Sequence, residues 1–430
     1  MDTQRIYREI RAKSNLENCI LEDFVLQYDE FFRDLAVDIE RISAYEAVEV
    51  LSLLIYSERY FISRSEWEQM IYQCLEKVRS GIYTGELFSA SVFGGLSHVR
   101  VVVKELADRV DGLYHFTSSL DNLLERIIPS YIDTKNPKFN IQNNYELISG
   151  LSGILLCCID GDLTEQFQSI SFDTINALIT RLTPRKYLGY SIPGFHYYPS
   201  ELEQKFISNP SSNGYLNYGV SHGVAGPLCA LSLAMMRGIS HNQIEETIRD
   251  LIDELLKARF YVDNIIYWPG RISFEQYIGQ DIIEQVPNRM SWCYGSPGIL
   301  RTLYIAAEAL GDSSLKRHIV LEIGKIAELD TELYLLNTPI VCHGLAGMTL
   351  IMMRMYKDTQ NDIFMEKQCQ LADKLIHNFA YRDTENNRLT GMEAVKKYSY
   401  LEGYSGILQT IYSCIDDNYA NINEKRLLLL

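Results

Sequence analysis

Two kinds of apolar spacing alternate through this sequence. In the first, apolar residues return every three to four positions with charges between them. The stretch IEETIRDLIDELLKARF, Ile244 to Phe260, is the clearest case, and its spacing predicts a helix with one buried face. In the second, a Gly-x-x-Gly pattern opens a run that is apolar nearly all round. It occurs as SGLSGILL (Gly150, Gly153), SHGVAGPLCAL (Gly223, Gly226) and CYGSPGILRTL (Gly295, Gly298), then as CHGLAGMTLIM (Gly344, Gly347) and EGYSGILQTIY (Gly403, Gly406). An eroded copy, FGGLSHVRVVV, keeps Gly95 and carries His98 where the second glycine belongs. A fainter one, ISAYEAVEVLSLL from Ile42, has lost both.

The first glycines stand 49 to 73 residues apart, which suits one outer helix, a loop and one inner helix per repeat. Small residues at the helix entrance let the loop backbone come close without a side-chain clash. Seven such hairpins can close into a ring that needs no capping repeats.

Two stretches break the helical rhythm. Residues 184–218 are rich in Pro, Gly, Ser and Tyr, and residues 261–287 hold β-branched and aromatic residues interrupted by Pro269-Gly270. Both predict short strands and loops. The expected organisation is a helical domain over 1–183 and 219–430, with 184–218 as an inserted β-rich extension to which 261–287 contributes. Long irregular loops in both places are the alternative.

At 430 residues and 47% hydrophobic content, the chain has ample material for a large core. Its 40 basic against 56 acidic side chains give a net charge of −16, which argues against a nucleic-acid partner. No apolar run reaches transmembrane length, and the start MDTQRIYREIRAKSNLENC lacks the apolar stretch of a secretion signal. Nine cysteines, an odd number set mostly in helix-like segments, read as reduced thiols of a cytoplasmic protein.

The chemistry concentrates at the glycine motifs. Cys342 and His343 fall just before Gly344, and Cys293 falls just before Tyr294-Gly295. If the repeats superpose, the three side chains project from neighbouring loops. Two thiolates and an imidazole suit zinc, and three protein ligands leave a fourth tetrahedral position for a substrate. Thiolate ligands donate charge to the metal, which favours activating an incoming thiol over acidifying water. A closed structural site with His222 as fourth ligand is the competing arrangement. His222 also stands immediately before a repeat glycine, where it can exchange a proton beside the metal. Arg289 can stabilise developing negative charge or stay solvated, Trp292 and Tyr294 can wall the pocket or fill space, and Glu146 can orient a neighbour or sit exposed at a helix start.

The set SHGVAG, WCYGSPG and CHGLAG, in this order, resembles the LanC family of lanthionine synthetase C components, or lantibiotic cyclases. The likeness covers about Phe93 to Gly406. It implies an all-α fold, an α/α toroid of about seven inner and seven outer helices with a small β-containing extension. It implies one zinc ion per chain on Cys293, Cys342 and His343. His222 takes the place of the family's acid/base histidine, Arg289 of its arginine near the metal, and Tyr294 of the tyrosine after the first ligand. Such enzymes add cysteine thiols of a precursor peptide to dehydroalanine or dehydrobutyrine, forming lanthionine and methyllanthionine. The implied partners are the dehydrated, leader-bearing peptide, a dehydratase and a membrane ABC transporter, assembled at the inner face of the cell membrane.

Three departures qualify the likeness. Glu146 in YELISG stands where the family usually has aspartate, and the first two repeats have lost glycines. The family also includes eukaryotic relatives acting on other dehydrated or glutathione-like partners. A second class of reading, a non-catalytic scaffold that binds a thiol peptide or glutathione, therefore remains beside the cyclase.

Overall fold

The computed structural model describes residues 18–429 except 56, 59–60, 62, 134–143, 162–163, 198–212, 379–395 and 416–421, with side chains from residue 26 on. The start of the chain and residues 198–212 of the expected extension lie outside the described residues.

In chain order the first helices are α1 (Asn18–Asp38), α2 (Ala44–Leu54), α3 (Arg64–Thr84), α4 (Leu96–Ala107), α5 (Tyr114–Ile132), α6 (Leu151–Cys158) and α7 (Glu165–Leu182). Three short strands follow, β1 (Arg185–Tyr187), β2 (Tyr190–Ile192) and β3 (Tyr215–Asn217), then α8 (Ala225–Met236) and α9 (Ile244–Ala258). Next come β4 (Phe260–Val262), β5 (Ile265–Tyr267), β6 (Arg271–Ser273) and the single turn α10 (Phe274–Tyr277). The last helices are α11 (Ser296–Ala309), α12 (Ser313–Glu328), α13 (Leu345–Thr359), α14 (Asp362–Asn378), α15 (Tyr404–Ile415) and α16 (Asn423–Arg426).

The two spacings become two classes of helix. Every residue of α6 is buried, and α8, α11, α13 and α15 are nearly so, as expected of helices apolar on all sides. By contrast α9 buries one stripe, Ile244, Ile248, Leu251, Ile252 and Leu255, and leaves its charges in water except Glu254, which is half-buried. One compact unit combines Met1–Ser89, Gly94–Asp121 and Ala327–Leu430; the other combines Ala90–Phe93 and Asn122–Ile326. Within the first, α2 packs on α3 and α4, α13 on α14 and α15, and α15 on α2. Within the second, α8 packs on α6, α9 and α11, and α7 on α6 and α9.

The glycine repeat has a geometric cause. In four repeats the residue after the first glycine donates its N–H to a carbonyl seven residues earlier: Leu96 to Ser89, Leu151 to Asn144, Val224 to Asn217 and Leu345 to Thr338, at 2.7 to 3.0 Å. The loop is thereby folded tightly over the helix entrance. A Cβ on Gly295 would lie 2.5 Å from the Arg289 carbonyl oxygen, and one on Gly298 would run into that of Trp292. Where α2 has lost both glycines, a capping box replaces them: Ser43 accepts from the Glu46 N–H, and Glu46 accepts from Ser43.

The histidine in the eroded repeat is also structural. His98 is fully buried and its Nε2 accepts from Arg426, whose guanidinium also meets Glu49, Nη1 to Oε2 at 3.5 Å. Asn423 and Gln409 extend this polar network around the C-terminal turn α16.

The strands are local. β1 and β2 form an antiparallel hairpin, as do β4 and β5. The third pair joins distant segments: β3 runs antiparallel to β6, with Tyr215 opposite Ser273 and Asn217 opposite Arg271. Asn217, at the end of β3, is thus held immediately before the loop that carries His222.

Candidate active site

In one unit the candidate residues stand on the loops before α6, α8 and α11, and in the other on the loop before α13; the glycines dictate the shape of each loop. Backbone bonds tie neighbouring loops together: Leu147 N–H donates to Ser221 O at 3.2 Å, and Val220 N–H to Cys293 O at 2.7 Å. Cys342 N–H donates to Leu401 O at 2.9 Å. Cys293 and Cys342 each stand two residues before a first repeat glycine, so similar loops present both sulfurs.

Cys293, Cys342 and His343 offer ligand atoms that all lie within 4.8 Å of one another, and among the described residues no other His, Cys, Asp or Glu joins the group. Cys293 is buried, while Cys342 and His343 are half-buried. The donor set fits zinc: atoms sharing one tetrahedral ion at bond lengths of about 2.0–2.3 Å stand roughly 3.3–3.8 Å apart, inside the observed limit. The Ser291 hydroxyl lies 3.7 Å from Cys293 Sγ. Other thiols are unsuited to such a role, since burial pushes Cys74, Cys229 and Cys414 up to about 12 and keeps them protonated.

The loop tied to Cys293 through Val220 carries one half of a carboxylate–imidazole pair. Nδ1 of His222 is 2.6 Å from Oε2 of Glu146. Glu146 is buried, not exposed at a helix start, and accepts three further bonds, from the N–H groups of Ile148 (3.1 Å) and Ser149 (2.6 Å) and from the Ser149 hydroxyl (2.9 Å). A carboxylate with that many donors acts as acceptor toward the imidazole. Nδ1 of His222 therefore carries a proton toward Glu146, and among the described residues Nε2 has no hydrogen-bond partner, on a side chain 49% exposed.

Tyr294 takes a bond from Asn217 Nδ2 on its phenol oxygen, at 3.2 Å. Its ring sits against Gly219, where a Cβ would come within 2.6 Å of it. Trp292 is buried. Arg289 is exposed, and its side chain has no hydrogen bond or ion pair among the described residues. Asn217 has no motif around it and only folding brings it to Tyr294, while Ser291, two residues before Cys293 in its motif, had no role assigned.

A family described as lanthionine synthetase C-like protein matches residues 50–428. The chain belongs to that family. Among its relatives is nisin biosynthesis protein NisC of Lactococcus lactis subsp. lactis, 24% identical over 326 residues, covering 73% of this chain and 74% of that protein. The solved structure of a nisin cyclase superposes with a TM-score of 0.77 at 18% identity, covering 94% of this chain and 97% of the other. The fold is therefore all-α and of the α/α toroid class anticipated from the repeat. No described helix is long and apolar enough to cross a membrane.

Proposed function

We propose that this lanthionine synthetase C-like chain is a zinc-dependent lantibiotic cyclase. It adds precursor-peptide cysteine thiols to dehydroalanine and dehydrobutyrine, making lanthionine and methyllanthionine rings. The observation that carries the reading is the Cys293, Cys342 and His343 group, with its two sulfurs and one imidazole in a chain of this family. A zinc ion held there supplies a coordination position at which a substrate thiol is kept as its nucleophilic thiolate.

The chain's own residues handle the remaining chemistry. The substrate sulfur bonds to the alkene β-carbon, and a proton ends on the α-carbon, so the peptide changes connectivity without changing mass. In this reading His222, whose Nδ1 is tied to Glu146, takes the proton from the thiol or delivers it to carbon, and that bond supports the role. Glu146 orients the ring, filling with a longer side chain the place of the family's aspartate. Tyr294 and Arg289 face charge developing on the substrate carbonyl. The dehydrated, leader-bearing peptide is the substrate, and a dehydratase and a membrane ABC transporter are the expected partners at the inner membrane face.

The test is to incubate purified, zinc-loaded protein with a dehydrated, cysteine-containing peptide and then alkylate free thiols. Loss of alkylatable thiol at unchanged mass supports the cyclase. Persistent free thiol, with the peptide still bound, would instead establish a non-catalytic scaffold.

A further inference from the structure

We infer that Asn217 is a positioning residue for the cyclase reaction, holding the Tyr294 phenol so that its O–H is free to donate into the site. The inference rests on the proposed function above. Asn217 is almost wholly buried. Its Oδ1 accepts the N–H of Gly219 at 3.0 Å. A backbone N–H can only donate, so this bond fixes which end of the amide is oxygen. The other end, Nδ2, must therefore donate to the Tyr294 phenol oxygen, 3.2 Å away. The phenol is the acceptor in that bond, and among the described residues its own proton has no acceptor.

The direction of this bond decides what Tyr294 can do. A tyrosine that donated its proton to a buried carboxylate or carbonyl would have none to offer a substrate. Tyr294 instead has one lone pair occupied and a proton available for an oxygen that gains charge as sulfur adds to the alkene. The ring lies over Gly219, whose lack of a Cβ lets it sit there, and beside Gly270.

Asn217 also links the two halves of the proton chemistry. Its carbonyl accepts the Val224 N–H at 2.9 Å, closing the loop that presents His222. A Cβ on Gly223 would lie 2.5 Å from Asn217 Oδ1, so the side chain packs directly beneath that loop. The antiparallel pairing of Asn217 with Arg271 fixes its backbone from the other side. One residue thus sets the spacing between His222 and Tyr294.

Asn217→Asp isolates the effect. The carboxylate still accepts from Gly219, so the loop keeps that bond, but it cannot donate to the phenol and draws the phenol proton to itself. The expected result is a kcat lowered roughly tenfold to hundredfold with KM nearly unchanged, and little further loss when Tyr294→Phe is added. A second readout needs no turnover. In protein labelled with 3-fluorotyrosine, the fluorine resonance missing from Tyr294→Phe belongs to Tyr294, and in Asn217→Asp it should shift while most others stay. Wild-type turnover in Asn217→Asp, losses that multiply in the double variant, or an unmoved Tyr294 resonance would each overturn the inference. If the parent protein fails to cyclise any dehydrated peptide, the cyclase reading falls, and the fluorine shift still decides the hydrogen bond.

Discussion

His222 and Glu146 are 76 residues apart in sequence, yet their imidazole and carboxylate meet at 2.6 Å. Glu146 cannot swing aside, because two backbone N–H groups and the Ser149 hydroxyl also hold it. Glu146→Gln keeps the size but removes the charge and brings an N–H₂ toward Nδ1. Turnover should fall about 10- to 100-fold with metal content unchanged, read by steady-state kinetics beside metal analysis. Unchanged turnover would detach Glu146 from the proton chemistry.

His222→Asn separates the two accounts of the metal group. With three ligands and His222 as proton carrier, the variant retains its zinc and loses about 10²- to 10⁴-fold in rate. A variant that emerges from purification without metal would point to a closed four-ligand site.

Removing a sulfur has a different signature. Cys293→Ala or Cys342→Ala leaves two ligands, too few to retain zinc against a chelator, and activity should vanish together with the metal. Elemental analysis after dialysis against a chelator is the check, and full metal occupancy in either variant would contradict the ligand assignment.

Two glycine substitutions should act in opposite directions. In Gly298→Ala the new methyl meets the Trp292 carbonyl, and the loop over α11 must open, at a cost of about 2 kcal/mol or more. In Gly324→Ala, within α12, nothing lies within 4 Å of the new Cβ, and the helix should gain about 0.5–1 kcal/mol. Thermal melts of the two variants against the parent decide both.

The buried His98 predicts a pH response. Burial first, and the Arg426 charge second, hold its pKa well below the ordinary 6.5. Glu49 and the Arg426 guanidinium face it within the network. The unfolded chain takes up a proton near pH 6.5 that the folded chain refuses, so stability is level above that pH and declines as pH falls below it. His196, also lowered by burial, to about 4, adds in the same direction. Melting temperature should drop on acidification from about pH 6.5, and less steeply in His98→Gln. Parallel curves for the two proteins would exclude His98 as a source.

Much of this protein is legible before folding. The alternation of one-faced and all-round apolar helices, the glycine repeat and the grouping of Cys293, Cys342 and His343 all follow from residue spacing. Apolar periodicity sets what a helix must bury, and a glycine marks where backbone must approach backbone. Spacing carries no information about which polar side chains meet across distant loops. His98 looked like a decayed glycine and proved to be a buried partner of Arg426. Glu146 had an ordinary exposed reading and proved to be the buried partner of His222. Asn217, with no motif around it, reaches Tyr294 because β3 pairs with β6 and the loop closes over α8. Hydrogen bonds depend on distance and direction to a fraction of an ångström, and those are set when the repeats pack against one another.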